Sequence, residues 1–200
     1  MSRGTICILP IDMEDFKLDK TKYSGRPTER RTPAEEACYD FLDRLGVTYF
    51  RADHDEAMTI PMCHGVEQVL ETKICKNLFL CNRQKTSFYL LLISGDKVFK
   101  TKYLSAQLGC SRLSFGDEAD MQRLLGVQPG SATVLGLMND TGHQVQLVID
   151  RGILQNERFG CHPCKNTSTL SLLTQDVLEK VIPAMAHAPI FVDLPEEDHA

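Results

Sequence analysis

Two apolar runs constrain this chain more than any other feature. NLFLCN, from Asn77 to Asn82, and SFYLLLIS, from Ser87 to Ser94, are separated only by the polar residues RQKT. Each run is continuous rather than alternating, and each is bounded by polar residues. Such runs fit strands covered on both faces, and the short polar link predicts that the two strands pair. A hairpin of this kind cannot stand at a wet surface, so the chain must supply layers on both sides of it. Two hundred residues suffice for one such domain, or for one domain with an extension.

Elements on either side supply those layers. The stretch TPAEEACYDFLDRLG predicts a helix: Thr32 can cap it, Pro33 suits its first turn, and Glu35 completes a Thr-x-x-Glu capping box. Cys38, Phe41, Leu42 and Leu45 recur at helical spacing, and Gly46 ends the element. VTYFRA reads as a strand, GVEQVLE from Gly65 as a short helix, and YLSAQLG and DEADMQRLLG as short helices that each end in glycine. SATVLGLM and QVQLVID read as strands joined by the turn NDTGH. STLSLL is a further strand, TQDVLEKVIPAM a final helix and IFVDL a closing short strand. Helices and strands alternate irregularly, with adjacent strand pairs among them, so the expected class is α+β with a mixed sheet. Residues 1–31, polar and without periodicity over KLDKTKYSGRPTERR, are expected to be an N-terminal extension, loop or linker, with the domain spanning 32–200.

Composition narrows the function classes. No apolar run reaches the roughly 18–20 residues that span a bilayer, and the N-terminal patch ICILP is followed at once by acidic residues. The expected location is cytoplasmic, and the eight cysteines are expected to be reduced, most of them small buried hydrophobes. The net charge of −5 argues against a protein that coats nucleic acid broadly. Between Lys73 and Lys102, however, seven lysines and arginines face the single acid Asp96. This fits either a localised anionic partner or a solvated edge.

Cys161 and Cys164 form a C-x-x-C pair with His162 between them. A structural zinc site needs four ligands, and no second pair of that spacing exists; Cys63 and His64 are adjacent and chelate poorly together. A redox pair of the thioredoxin kind would lead into a helix, whereas this one leads into the strand-like NTSTLSLL. Glycine-rich phosphate and dinucleotide fingerprints are absent, as is a Gly-x-Ser-x-Gly elbow. His54, after a strand, and His162, between glycine and proline on a loop, are the acid–base candidates; His64, His143, His187 and His199 have weaker contexts. Lys76 and Asn77 stand at the expected mouth of an apolar strand, where a charged group can be aimed from a rigid platform. Gly126, Gly130 and Gly136 surround a short expected strand, where free N–H groups could hold an oxyanion, although Gly126 also reads as a plain helix cap.

Five ordered blocks carry a family resemblance: HDEAMT from His54, KNLFL from Lys76, LGCSRLSF from Leu108, LLGVQPGSATVLGLMND from Leu124, and GCHPCKNTST from Gly160. Over Thr32 to Leu194 the chain resembles the YbaK/ProRS-associated domain family, and within it the free-standing prolyl-tRNA editing proteins. The resemblance implies an α+β domain with a mixed, barrel-like sheet flanked by helices. It also implies hydrolysis of mischarged tRNA(Pro), typically alanyl-tRNA(Pro), with no metal or cofactor. Implied partners are the tRNA acceptor end and prolyl-tRNA synthetase or an elongation factor. By this likeness Lys76, Asn77 and His162 are the catalytic candidates. Thr59, Gly130, Ser131, Gly136, Pro163 and Asn166 are the substrate-binding candidates. Two departures stand out. Val134 occupies a position where relatives often carry proline, and Cys161 and Cys164 fill variable slots of a Gly-x-His-Pro-x-x-Asn frame.

An aminoacyl ester is already activated, so a site of this kind has to position it, deliver water and stabilise developing charge. In that scheme Lys76 grips a phosphate or polarises the carbonyl, Asn77 and the backbone at Gly130 and Gly136 steady the oxyanion, and His162 holds the ribose or the water. Pocket size would then separate alanine from the larger proline ring. The rival expectation is a non-catalytic tRNA- or partner-binding module that keeps the fold, and Val134 is the residue in its favour.

Overall fold

The computed structural model describes residues 16–56 and 60–196. Nine strands form one mixed sheet in the order β1-β2-β8-β7-β3-β4-β6-β9, with β5 added beside β3. The strands are β1 (Tyr23–Ser24), β2 (Tyr49–Asp53), β3 (Lys73–Asn82), β4 (Phe88–Ser94), β5 (Leu113–Phe115), β6 (Val145–Asp150), β7 (Arg158–Cys161), β8 (Ser168–Leu173) and β9 (Ile190–Val192). Pairing is parallel at β3–β7, β4–β6 and β6–β9 and antiparallel elsewhere. The helices are α1 (Pro33–Arg44), α2 (Ile60–Leu70), α3 (Thr101–Leu108) and α4 (Glu118–Leu125). A C-terminal helix over 174–184 has a π-helical middle at Val177–Val181.

The two apolar runs pair antiparallel as β3 and β4 at the centre of the sheet. Leu90, Leu91, Leu92 and Ile93 are all fully or almost fully buried, which explains the absence of alternation: both faces of β4 are covered. On one face the largest core cluster joins β4 and β6 to α1, α4 and the C-terminal helix; on the other, Leu80, Leu91, Ile93 and Val148 pack with Leu104 of α3 and Val192 of β9. A third, smaller cluster seats Val66 and Leu70 of α2 on Ala52 and Ile74. The capping box of α1 forms in full, with the Thr32 side chain accepting from Glu35 N and the Glu35 carboxylate accepting from Thr32 N at 3.1 Å.

Four expectations need revision. SATVLGLM is not a strand. Its core, Val134–Asn139, is a 3-10 helix started by the Thr133 hydroxyl, which accepts from Leu135 N. A Cβ at Gly136 would come within 3.1 Å of the Leu125 carbonyl, so the segment lies against the end of α4 in an approach that favours glycine. β3 begins at Lys73, so Lys76 and Asn77 stand inside the strand and not at its mouth. Helix α2 starts at Ile60, five residues before Gly65. Within the segment read as loop or linker, Tyr23–Ser24 pairs with β2, and Phe16 and Leu18 pack on the α2 cluster.

The sheet is joined across its middle by a short seam. The only parallel register between β3 and β7 is Lys73 with Phe159 and Ile74 with Gly160. Gly160 makes this approach possible: a Cβ there would lie 3.0 Å from the Lys73 carbonyl oxygen and 3.1 Å from Ile74 Cα.

Candidate functional site

The site forms in a notch beside β3. One edge of that strand carries β4 from Cys75 to Cys81. The other edge carries β7 at Lys73 and Ile74 and β5 at Leu80 to Asn82. Between those pairings, Cys75 to Leu78 have no strand on this second edge among the described residues. A cavity of about 390 Å³ occupies the gap, within the roughly 300–1,000 Å³ typical of small-ligand sites. Lys76, Asn77, Gly130 and His162 all line it. The four therefore converge from three parts of the chain: β3, the turn before the 3-10 helix, and the loop after β7.

Lys76 reaches back to the β4–α3 loop, where its Nζ donates to the Lys97 carbonyl at 2.8 Å. The side chain of Lys97 is itself pinned, donating to Asp150 at 2.9 Å and to the Leu194 carbonyl at 2.9 Å. The anchor for Lys76 is thus backbone held from behind by a buried ion pair. Asn77 donates from Nδ2 to the Cys75 carbonyl at 3.0 Å, which satisfies one acceptor of the strand. Its Oδ1 is buried without a partner among the described residues, the condition of a group that receives a ligand or water donor.

His162 lies on the loop that follows β7. Its Nδ1 is 2.9 Å from the Ser168 carbonyl, which can only accept, so Nδ1 carries the proton and Nε2 keeps a lone pair. Desolvation pulls the imidazole down to about 4; the Ser168 hydrogen bond opposes this and the neighbouring His54 ring, 6.2 Å away, adds to it. The ring is neutral at physiological pH and acts as a hydrogen-bond acceptor. Thr133 fixes the same loop by donating to the His162 carbonyl at 2.7 Å. His54 has both nitrogens engaged: Nδ1 donates to the Asp55 carbonyl at 2.7 Å, and Nε2 accepts from the Thr169 hydroxyl at 2.8 Å. Burial lowers its pKa as well, and it does not line the cavity.

The remaining candidates are placed differently. Ser131, Gly136, Pro163 and Asn166 are buried and do not line the cavity. Gly136 cannot serve as an oxyanion donor in this arrangement because its N–H donates to the Thr133 carbonyl at 3.1 Å. Thr59 lies outside the described residues. Gly130, with φ of +84°, is the one glycine of the loop that both lines the cavity and requires its missing Cβ for backbone conformation.

The C-x-x-C cysteines do not pair with each other. Cys164 lies with Sγ 3.4 Å from Sγ of Cys38 on α1, and Cys161 is buried separately. The contact with Cys164 and burial push the Cys38 thiol up, and burial, with the nearby Cys75 and Cys164, pushes Cys161 up. Cys75, on the cavity wall, is pushed up to about 12 by burial, so it is a thiol and not a thiolate nucleophile near neutral pH. No cluster of three or more His, Cys, Asp or Glu suited to a metal occurs among the described residues.

Several wall residues had no signal in the sequence. His64 and Glu67 come from α2, Phe79 from β3, Phe115 from β5, Asp96 from the β4–α3 loop and Met121 from α4. They meet because the notch brings five elements to one place. Only Phe79, within KNLFL, and Phe115, within LGCSRLSF, lay in blocks already singled out.

The family profile described as Aminoacyl-tRNA editing domain matches residues 54–180, a span that includes every cavity residue named above. The chain is 30% identical to the protein named Prolyl-tRNA editing protein ProX of Acetoanaerobium sticklandii, over 76% of this chain and 92% of that one. It is 33% identical to the Prolyl-tRNA synthetase associated domain-containing protein 1 of Mus musculus, over 75% and 92% respectively. Among solved structures, one described as a candidate trans-editing enzyme for prolyl tRNA synthetase superposes with a TM-score of 0.61 at 13% identity, covering 83% of this chain and all of that one. At that identity the likeness concerns the fold.

Proposed function

The chain belongs to the aminoacyl-tRNA editing domain family, and from that premise we propose that it hydrolyses the ester linking a wrong amino acid to tRNA(Pro), most readily alanine. The observation that carries this reading is the single cavity shared by Lys76, Asn77, Gly130 and His162. In the reaction, water adds to the ester carbonyl, the bond to the ribose oxygen breaks, and that oxygen leaves with a proton. Free amino acid and uncharged tRNA result.

The residues divide the work by their chemistry. Lys76 keeps two ammonium hydrogens beyond the one given to Lys97 O, and with them it grips the terminal phosphate or polarises the carbonyl. Asn77 receives a donor at Oδ1, and the open edge of β3 with the Gly130 turn contributes peptide groups to the developing oxyanion. His162 offers a lone pair at Nε2. A group that protonates near pH 4 is a weak base at neutral pH, so it orients the water or a ribose hydroxyl and does not abstract the proton outright. Phe79, Met121 and Ala132 give the apolar wall. A wall that admits a methyl group but not a pyrrolidine ring discriminates by exclusion, which exceeds the roughly 1–3 kcal/mol that one methylene supplies in a permissive pocket.

The test is deacylation of a panel of mischarged tRNAs by the wild type and Lys76→Ala. Loss of alanyl-tRNA(Pro) turnover in the variant is expected, and equal rates would remove Lys76 from the mechanism. Binding of tRNA without turnover by the wild type would overturn the hydrolytic reading in favour of a binding module.

A further inference from the structure

We infer that Phe115 is a stacking platform for the unpaired nucleotide that precedes the terminal adenosine, with Arg112 and Arg83 receiving the phosphates on either side. The inference rests on the tRNA-editing reading and adds to it where the acceptor strand leaves the cavity.

Phe115 is 64% exposed, an unusual state for the ring of a strand residue. It is nonetheless held firmly. Its backbone pairs with Leu80 of β3, and the next residue, Gly116, donates to the Phe79 carbonyl at 2.9 Å. Gly116 can carry no side chain here, since a Cβ would fall 2.4 Å from the Phe79 ring. Phe99 supports one edge of the Phe115 ring at 6.3 Å between centroids, in an edge-on arrangement that leaves a face to solvent. An aromatic face kept exposed on a fixed backbone is what base stacking needs.

Its position is the second argument. Phe115 lines the substrate cavity and also both shallow grooves outside it. One groove carries Lys102 and Arg112, the other Arg83 and Arg112. A strand whose last nucleoside enters the cavity and that leaves along either groove crosses this ring on its way out.

Charge is the third. The basic window is not one uniform patch: Lys97 is spent on Asp150, Lys85 on Asp117 and Asp120, and Lys73 on Glu67 and Asp96. Arg83 and Arg112, both exposed and both lining one groove with Phe115, have no ion pair among the described residues. Cations grouped beside an exposed aromatic face fit a single-stranded polyanion better than an apolar protein surface.

The experiment has a binding arm and a turnover arm. An acceptor-stem hairpin ending in CCA, with 2-aminopurine in place of the base next to the terminal adenosine, is titrated with wild type, Phe115→Ala and Phe115→Trp. Stacking predicts an emission change on binding to the wild type and to Phe115→Trp, and its loss in Phe115→Ala with roughly ten- to hundredfold weaker binding. In the turnover arm, kcat/KM of Phe115→Ala falls at least tenfold further on alanyl-tRNA(Pro) than on 3′-O-alanyl-adenosine, which lacks the preceding nucleotides. An unchanged emission response and affinity in Phe115→Ala would overturn the inference and leave the ring to a protein partner. A wild type that stacks the probe but hydrolyses neither ester would overturn the hydrolytic reading alone.

Discussion

Replacing Lys97 by methionine tests how the site is held from behind. The substitution keeps most of the side chain's length and apolar stem but removes the ammonium that contacts Asp150 at 2.9 and 3.3 Å and the Leu194 carbonyl at 2.9 Å. Asp150 has a side chain only 1% exposed, so its carboxylate cannot turn to water. Removing one member of a buried pair costs about 3–5 kcal/mol, because the other charge is left uncompensated. Here the Gly152 N–H still donates to Asp150 at 2.9 Å, which places the expected loss at the lower end, about 3 kcal/mol. For a domain of this size that corresponds to a fall in Tm of roughly 6–12 °C. Thermal and urea unfolding of wild type, Lys97→Met and the double variant Lys97→Met/Asp150→Asn measure it. The double variant, having no stranded charge, should regain more than half of the loss. The carbonyl of residue 97 is also the acceptor for Lys76, so the single variant should show a lower kcat on mischarged tRNA under conditions where it remains folded. A single variant within about 2 °C of wild type, or a double variant no better than the single, would refute the reasoning.

Three other substitutions separate the site from its scaffold. His162 stays neutral in the folded protein down to about pH 4, whereas it protonates near 6.5 when unfolded. The unfolded chain therefore binds the extra proton between those values, and stability declines as pH falls from about 6.5 to 4. His162→Asn should flatten that slope in urea midpoints, and an unchanged slope would assign the acid sensitivity elsewhere. Gly160→Ala introduces a Cβ 3.0 Å from the Lys73 carbonyl oxygen, a backbone atom that cannot swing aside. We expect a loss of about 1–3 kcal/mol and a larger proportional loss of deacylation, read by unfolding and turnover in parallel. Thr32→Ala removes the cap of α1 and should cost about 1 kcal/mol while leaving the proposed turnover by the remaining folded protein unchanged, as measured at a temperature well below its Tm.

Local chemistry made parts of this fold legible. The capping box of α1 states its own start, and β3 and β4 announce themselves as apolar runs broken by RQKT. Elements set by tertiary contact were not legible. Val134, Leu135 and Leu137 have the composition of a strand, yet the Thr133 hydroxyl and the close approach of Gly136 to α4 turn them into a 3-10 helix. β7 carries a charged residue and a glycine in four positions, and only its partners β3 and β8 make it a strand. The same division holds at the site. Lys76, Asn77, Gly130 and His162 could be nominated from motif blocks, whereas His64, Glu67 and Met121 are wall residues only because helices α2 and α4 close over the notch. Gly136 shows the opposite failure, a glycine suited by its type to bind an oxyanion but already engaged by its own turn.

The β3–β7 seam has a consequence for how the proposed activity would be lost. Lys76 and Asn77 belong to one half of the sheet and His162 to the other, and a weld two residue pairs long holds the halves in register between β3 and β7. Each half keeps its own ladder of longer pairings, β2 with β8 on one side and β3 with β4 on the other. A fluctuation that parts the weld and the Thr133–His162 hydrogen bond would therefore separate the proposed reacting groups while most of the backbone stays zipped. Catalytic competence should be the first property to go on warming, ahead of the collapse that a spectroscopic melt records.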